Sequence, residues 1–181
     1  MFTDWIADSY GSKTGLLRYC QFNAKALFGA YKTNSRSRQP FKRLVFLCSG
    51  NICRSPYGEV VARSLGVESI SFGLHCRGGD PANERAVAYA AKRGLDLSGH
   101  LSQHISLYEP QTGDLMLVME PSHLLQLQAL NLGVETQFIG SFAKPSTVYL
   151  HDPYNTNDIF FEHCLGIIHD AVENLNRINR E

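Results

Sequence analysis

The stretch Arg43-Leu-Val-Phe-Leu-Cys48-Ser-Gly-Asn-Ile-Cys53-Arg-Ser-Pro-Tyr-Gly58-Glu-Val-Val-Ala-Arg63-Ser-Leu65 decides how the rest of the chain is read. It opens on a short apolar run, Leu44 to Leu47, bounded as a fully buried strand would be. It closes on a helical pattern: Val60, Val61 and Leu65 recur near a helical period, and Gly66 marks the stop. Pro56 falls in the first turn of that helix, where a missing N–H is tolerated. Between strand and helix lie Cys48, Ser49, Gly50, Asn51, Ile52, Cys53, Arg54 and Ser55.

A loop running from a strand end into a helix start aims several backbone N–H groups at one spot, and the helix dipole adds positive potential there. Such a nest suits an anion with three equatorial oxygens. The guanidinium fork of Arg54 closes it with parallel hydrogen bonds to a phosphoryl group. Cys48 lies at the bottom, where the same donors favour thiolate over thiol. The expectation is a nucleophile beneath a bound phosphorus atom, with residues 49–55 as the phosphate-binding loop.

Cys-x5-Arg followed by Ser-Pro, with Gly50-Asn51 inside, resembles the signature loop of the low-molecular-weight protein tyrosine phosphatases. The resemblance runs from about Lys42 to Arg180. It implies a phosphotyrosine phosphatase working through a cysteinyl phosphate, with no cofactor and no metal. It also implies a proton donor for the leaving group, and Asp152 fits. Asp152 precedes Pro153 and Tyr154, and the family carries an Asp-Pro-aromatic triplet near its C-terminus. By the same resemblance Ser55 holds the Cys48 thiolate, Asn51, Ser71 and His100 support the loop, and Cys53 protects Cys48 by a reversible disulfide. Tyr154 and Arg77 are the candidates for the substrate side of the cleft. The chain departs from the family in the loop after its second strand. Leu74-His75-Cys76-Arg77 carries no aromatic, and Phe72 stands where alanine is common. The partner implied is a phosphotyrosine-containing protein, with a bacterial tyrosine kinase as the family analogy.

Three rival readings remain. An arsenate reductase uses a similar loop but relays through two further cysteines, and Cys76 has no second partner near it in sequence. A phosphoarginine phosphatase of this fold goes with threonine where this chain has Ile52. A silent phosphoprotein-binding module does not need Cys48, Arg54 and Asp152 all intact.

Outward from the loop, short apolar runs alternate with helical patterns. Strands are expected at Ser69–Phe72, Leu115–Met119 and Glu135–Ile139. Helices are expected at Ala82–Arg93 and Ser122–Leu130, and from Asn157 onward with Phe160, Cys164, Ile167, Ile168, Ala171, Leu175 and Ile178 buried. This alternation predicts an α/β fold: a four-stranded parallel sheet flanked by helices on both faces, with right-handed crossovers. The site belongs at the carboxyl ends of the strands. The order 2-1-3-4 is implied by the family resemblance.

With 181 residues, 44% hydrophobic and 19% charged, the chain can bury one real core. Zero net charge gives no general field for nucleic acid, and no stretch is long enough to span a membrane. Five cysteines without a small-scaffold pattern suit a reducing, cytoplasmic setting. The charge is divided along the chain. Up to Arg43 there are eight basic residues against Asp4 and Asp8, 8 − 2 = +6; the remainder carries 9 − 15 = −6. Residues 1–41 are read as a basic amphipathic helical arm and linker, 42–181 as the catalytic domain. In the arm, Leu17, Cys20, Ala24, Leu27 and Tyr31 share one helical face, and 34–40 read as linker. An isolated helix of this length needs a surface. Cys20 and Ala24 suit close packing on protein, in the same chain or in a homodimer, better than membrane association. The arm is expected to affect stability, assembly or substrate access more than the chemical step.

Overall fold

The computed structural model describes residues 2–31 and 41–180. Helices α1 (Phe2–Tyr10) and α2 (Lys13–Leu27) precede strand β1 (Arg43–Cys48). Then follow α3 (Arg54–Ser64), β2 (Glu68–Gly73), α4 (Glu84–Lys92), β3 (Asp114–Val118), α5 (Pro121–Leu130), β4 (Glu135–Phe138) and α6 (Asp158–Arg180). The four strands are parallel in the order β2-β1-β3-β4. This is the order the resemblance implied. The strands agree with the apolar runs to within one residue at either end.

Period-two alternation splits β1 between two cores. Leu44, Phe46 and Cys48 face α3, α4 and α6, whereas Val45 and Leu47 face Phe72, Tyr108, Leu124 and Leu127 on the opposite side. Phe72 fills this second core, its ring 5.5 Å from that of Tyr108 in an edge-on contact. At the end of the sheet away from the loop, Asp114 of β3 accepts two hydrogen bonds from Arg43 of β1 (2.8 and 2.7 Å) and one from Tyr108 (2.6 Å).

The buried face of α6 follows the expected residues except that Ile167 is partly buried and Ile178 is exposed. The arm departs further from expectation. The sequence pattern gave no element for residues 2–10, yet they form α1, whose Ile6 is buried. In α2 the buried side is not the aliphatic one. Leu17, Cys20, Ala24 and Leu27 face away from the fold, and Gly15, Tyr19, Phe22 and Asn23 face inward. The inward face wins because it supplies aromatic area and hydrogen bonds together. Phe22 packs 5.2 Å from Tyr149, while Asn23 donates to Thr147 Oγ1 (3.0 Å) and accepts from the Val148 N–H (3.1 Å). Tyr31, also on the expected face, does pack inward, against Phe138. The arm thus docks on its own chain. The expected linker at 34–40 lies outside the described residues.

Candidate active site

Parallel pairing brings the carboxyl ends of β1 and β2 together. The chain leaving β2 then binds the loop leaving β1: the Leu74 N–H donates to Cys48 O (3.0 Å) and the His75 N–H to Ser49 O (2.8 Å). Cys48 ends β1 at 2% exposure. Its Sγ lies 3.0 Å from Ser55 Oγ and accepts from the Asn51 N–H at 3.3 Å. The Ser55 hydroxyl has one proton to give. Two acceptors lie within its reach, Cys48 Sγ at 3.0 Å and Phe72 O at 3.3 Å.

The loop's shape is fixed by Asn51, which is fully buried and left-handed, φ 54°. A short amide side chain tolerates that region. Its Nδ2 donates to Ser55 Oγ (2.9 Å) and Ser71 Oγ (2.8 Å), and its Oδ1 accepts from the Gln103 N–H (2.7 Å). His100 Nε2 donates to the Asn51 carbonyl (2.7 Å). The four residues named as loop support therefore share one hydrogen-bonded group, which continues from Ser71 to Glu59 (2.6 Å).

None of the described side chains caps the start of α3. Arg54, the first residue of α3, is 1% exposed. It donates from Nη1 to Leu150 O (2.9 Å) and from Nη2 to Asp152 Oδ2 (2.5 Å). Burial opposes its charge, but Asp152 and Cys48 outweigh burial and raise its pKa. Its Nε has no partner among the described residues, although it is buried. Such a donor beside the cleft floor is suited to an oxygen of a bound anion. Burial, then the neighbouring Cys48, pushes the Cys53 thiol up, so Cys53 stays protonated. All five cysteines are free.

Cys48, Arg54, Asp152 and Tyr154 line one cleft of about 570 Å³ together with loop residues 49, 50, 52 and 53. Arg77 does not reach it. The pairing of Leu74 and His75 with the loop puts His75 on the rim and leaves Arg77 exposed beyond it.

Four contributors escaped the sequence reading. His123, in the first turn of α5, sits 3.1 Å from Ser49 Oγ. Burial, then Arg54, lowers its pKa to about 2, so the ring is neutral. The strand order held the signal, because the end of β3 must lie beside the end of β1. Arg85 of α4 reaches the acid's loop, donating to Tyr154 O (2.6 Å) and Thr156 O (2.8 Å), with its guanidinium 4.2 Å over Phe161. No local pattern announces a contact so distant in sequence. His151, beside Asp152, hydrogen-bonds Tyr149 OH through Nδ1 (2.7 Å). Burial, then Arg54, lowers its pKa. Finally, Gly11 and Ser12 of the arm form one wall of the cleft. Behind them, a cavity of about 220 Å³ lies between arm and domain, bounded by Trp5, Tyr10, Tyr149 and Phe160. His151 borders both spaces.

A buried cysteine under a strand-to-helix loop, with an arginine across it and an aspartate on a facing loop, defines a cysteine-dependent phosphomonoester hydrolase of α/β class. The family model for low molecular weight phosphotyrosine protein phosphatase matches residues 43–181, and the chain belongs to that family. It is 33% identical over 137 residues to the low molecular weight protein-tyrosine-phosphatase Etp of Escherichia coli K12, covering 74% of this chain and 91% of that one. The crystal structure of the Erwinia amylovora tyrosine phosphatase AmsI is similar at a TM-score of 0.67 and 26% identity, covering 81% of this chain and 97% of that one. The tyrosine phosphatase Wzb from Escherichia coli K30, in complex with sulphate, is similar at a TM-score of 0.62 and 31% identity, covering 74% and 94%. The chain is thus a protein-tyrosine phosphatase, a hydrolase.

Proposed function

We propose that residues 42–181 form the catalytic unit and hydrolyse phosphotyrosine in proteins by two displacements at one phosphorus, with Cys48, Arg54 and Asp152 as the catalytic residues. The Cys48 thiolate attacks phosphorus as the P–O bond to the tyrosine ring breaks. Asp152 gives its proton to the departing phenolate oxygen. Asp152 then takes a proton from water, which attacks the cysteinyl phosphate and expels the thiolate toward the Ser55 hydroxyl. Arg54 and the N–H groups of residues 49–55 hold the three equatorial oxygens through both steps. The single observation that carries this reading is the joint placement of the Cys48 sulfur, the Ser55 hydroxyl and the Arg54–Asp152 pair around one cleft.

Without substrate, Arg54 Nη2 donates to Asp152 Oδ2 at 2.5 Å, and a bound phosphoryl group competes with that carboxyl for the guanidinium. The substrate side of the cleft is built from Tyr154, His75 and the Gly11–Ser12 turn. We place the work in the cytoplasm, supported by five free cysteines. By family analogy, a bacterial tyrosine kinase is the partner to test first among phosphotyrosine proteins. The test of the activity is hydrolysis of para-nitrophenyl phosphate and of phosphotyrosine peptides, with phosphoarginine and arsenate as controls. A phosphate trapped on Cys48 by rapid quench is expected. Turnover of phosphoarginine or arsenate in preference to phosphotyrosine would overturn the assignment.

A further inference from the structure

One hydroxyl lining the cleft serves neither the thiolate, the guanidinium nor the acid. Ser49 follows the nucleophile in the loop and borders the cleft. Its Oγ meets a single polar partner among the described residues, His123 Nε2 at 3.1 Å. His123 is itself held in place. It lies in the first turn of α5, where its backbone N–H donates to the Glu120 carbonyl (3.1 Å) and its Nε2 also faces Glu120 Oε1 at 3.6 Å. The ring is 1% exposed, and burial keeps it neutral. Its Nδ1 is buried with no partner among the described residues.

A neutral imidazole carries one N–H, on one nitrogen or the other. Nδ1 lacks a partner either way, so the surroundings of Nε2 decide. A bare Nε2 would set its lone pair against the Glu120 carboxylate. An Nε2–H turns a positive edge to that carboxylate and to Ser49 Oγ together. The proton therefore sits on Nε2, and Ser49 Oγ is the acceptor of this bond. A hydroxyl that accepts here sends its own proton elsewhere. The open side of Ser49 is the cleft beside Cys48.

We infer that the Ser49 hydroxyl donates to an oxygen of the substrate's phosphoryl group, and that His123, backed by Glu120, is the positioning residue that keeps it a donor. The inference rests on the phosphatase reading of this cleft and adds a side-chain donor to the N–H groups of the loop. A phosphoryl dianion offers acceptors only. A hydroxyl whose lone pair is engaged by an imidazole N–H is matched to it. One that spent its proton on the ring would turn a lone pair toward the anion. The sequence of bonds, Nε2–H to Oγ and O–H to phosphoryl oxygen, also polarises each donor in turn.

Ser49→Ala in the full chain, assayed with aryl phosphates of graded leaving group, is the direct test. kcat/KM is expected to fall about ten- to hundredfold, the worth of one hydrogen bond to a charged group, and inhibition by inorganic phosphate to weaken with it. Because the hydroxyl meets a phosphoryl oxygen and not the ester oxygen, the loss should be equal for good and poor leaving groups, unlike that of Asp152→Asn. His123 is tested through Ser49. His123→Leu should lower kcat/KM severalfold. His123→Gln, whose amide places an N–H near the position of Nε2, should recover most of that loss. In the Ser49→Ala background neither should add a further one. Heteronuclear NMR of the ring should show the Nε2–H tautomer. Parent kinetics in Ser49→Ala or His123→Leu, a loss that grows with leaving-group basicity, or a His123→Gln variant no better than His123→Leu would each overturn the inference. So would a His123→Leu loss undiminished without the Ser49 hydroxyl, or the Nδ1–H tautomer. All are read against a parent chain that forms the cysteinyl phosphate; a parent that forms none would instead fail the phosphatase reading itself.

Discussion

Gly11→Ala tests whether the arm is part of the working site. Gly11 adopts φ +77°, and a Cβ there would lie 2.6 Å from His151 Cδ2 and 2.9 and 3.0 Å from the Phe160 ring. Alanine in the left-handed region costs about 1–2 kcal/mol, and overpacking against two buried rings about 1–3 kcal/mol. Together these amount to roughly 2–5 kcal/mol. The polar ties holding the arm include the two bonds of Asn23 and the Asn157–Asp8 bond (2.7 Å), each worth about 0.5–1.5 kcal/mol. The strain is comparable with these ties, so the arm should lift while the sheet stays folded. Trp5 on α1 is the only tryptophan in the chain, so its emission reports the arm alone. A red shift and faster acrylamide quenching are expected, with earlier tryptic cleavage at Lys13, Arg18 or Lys25. Because His151 then loses the wall that orients it beside Asp152, kcat for para-nitrophenyl phosphate should fall by up to about tenfold, within the range that a small misplacement costs. Unchanged emission, proteolysis and kcat would refute the reasoning. Loss of the whole thermal transition would mean that arm and domain form one cooperative unit, which also contradicts it.

Other perturbations separate chemistry from scaffold. Cys48→Ser should abolish turnover yet keep phosphate binding, measured by calorimetry, since the loop N–H groups and Arg54 are untouched; substantial residual turnover would remove Cys48 as nucleophile. Asp152→Asn should slow aryl phosphates with poor leaving groups most, by roughly 10²–10⁴-fold, so a loss equal for all leaving groups would reassign the acid. Peroxide should convert Cys48 to a sulfenic acid that condenses with the Cys53 thiol, releasing water; thiol-reversible inactivation that becomes irreversible in Cys53→Ser is the expected readout by mass spectrometry, and sulfonic acid on Cys48 in the parent chain is the contrary one. Asp114→Ala leaves Arg43 buried without its carboxylate and should cost about 3–5 kcal/mol in urea unfolding. Burial raises the pKa of Asp114, but the bonds from Arg43, Tyr108 and the Gln111 N–H outweigh it and leave it lowered. The unfolded chain therefore binds this proton first as pH falls, so the parent loses stability below about pH 4. The variant should lack that component, and an identical acid limb in both would contradict the assignment.

Much of the sheet could be read from the chain because β1 and β3 are buried on both faces, and such strands are unbroken apolar runs whichever core each side chain enters. The loop was equally legible, since Cys48, Asn51, Arg54 and Ser55 are local and their partners are mostly backbone or one another. Legibility ended where function depends on contacts distant in sequence. Arg85 is one arginine among several until its donors meet the carbonyls of Tyr154 and Thr156. His123 became visible only through the strand order that sets β3 beside β1.

The arm shows why periodicity alone chose the wrong face. α2 carries two stripes of comparable apolar character, and a helical period cannot rank them. What ranks them is the surface beneath. Tyr149, Thr147 and the Val148 N–H offer ring contacts and hydrogen bonds that Phe22 and Asn23 can meet and that Leu17 and Leu27 cannot. An aliphatic side chain placed over Thr147 Oγ1 and the Val148 N–H would cover them without bonding them, a cost of about 1–3 kcal/mol for each unsatisfied group. The aliphatic stripe is thereby forced outward, and the helix that seats the arm on the enzyme is left with an apolar edge facing solvent. The docking that makes Gly11 and Ser12 part of the cleft and the exposure of Leu27 and Phe28 are two results of one rotation of α2. A single substitution on the inward face, Asn23→Leu, should therefore weaken the cleft wall, read by a lower kcat/KM on a phosphotyrosine peptide; an unchanged kcat/KM would contradict the role given to this face.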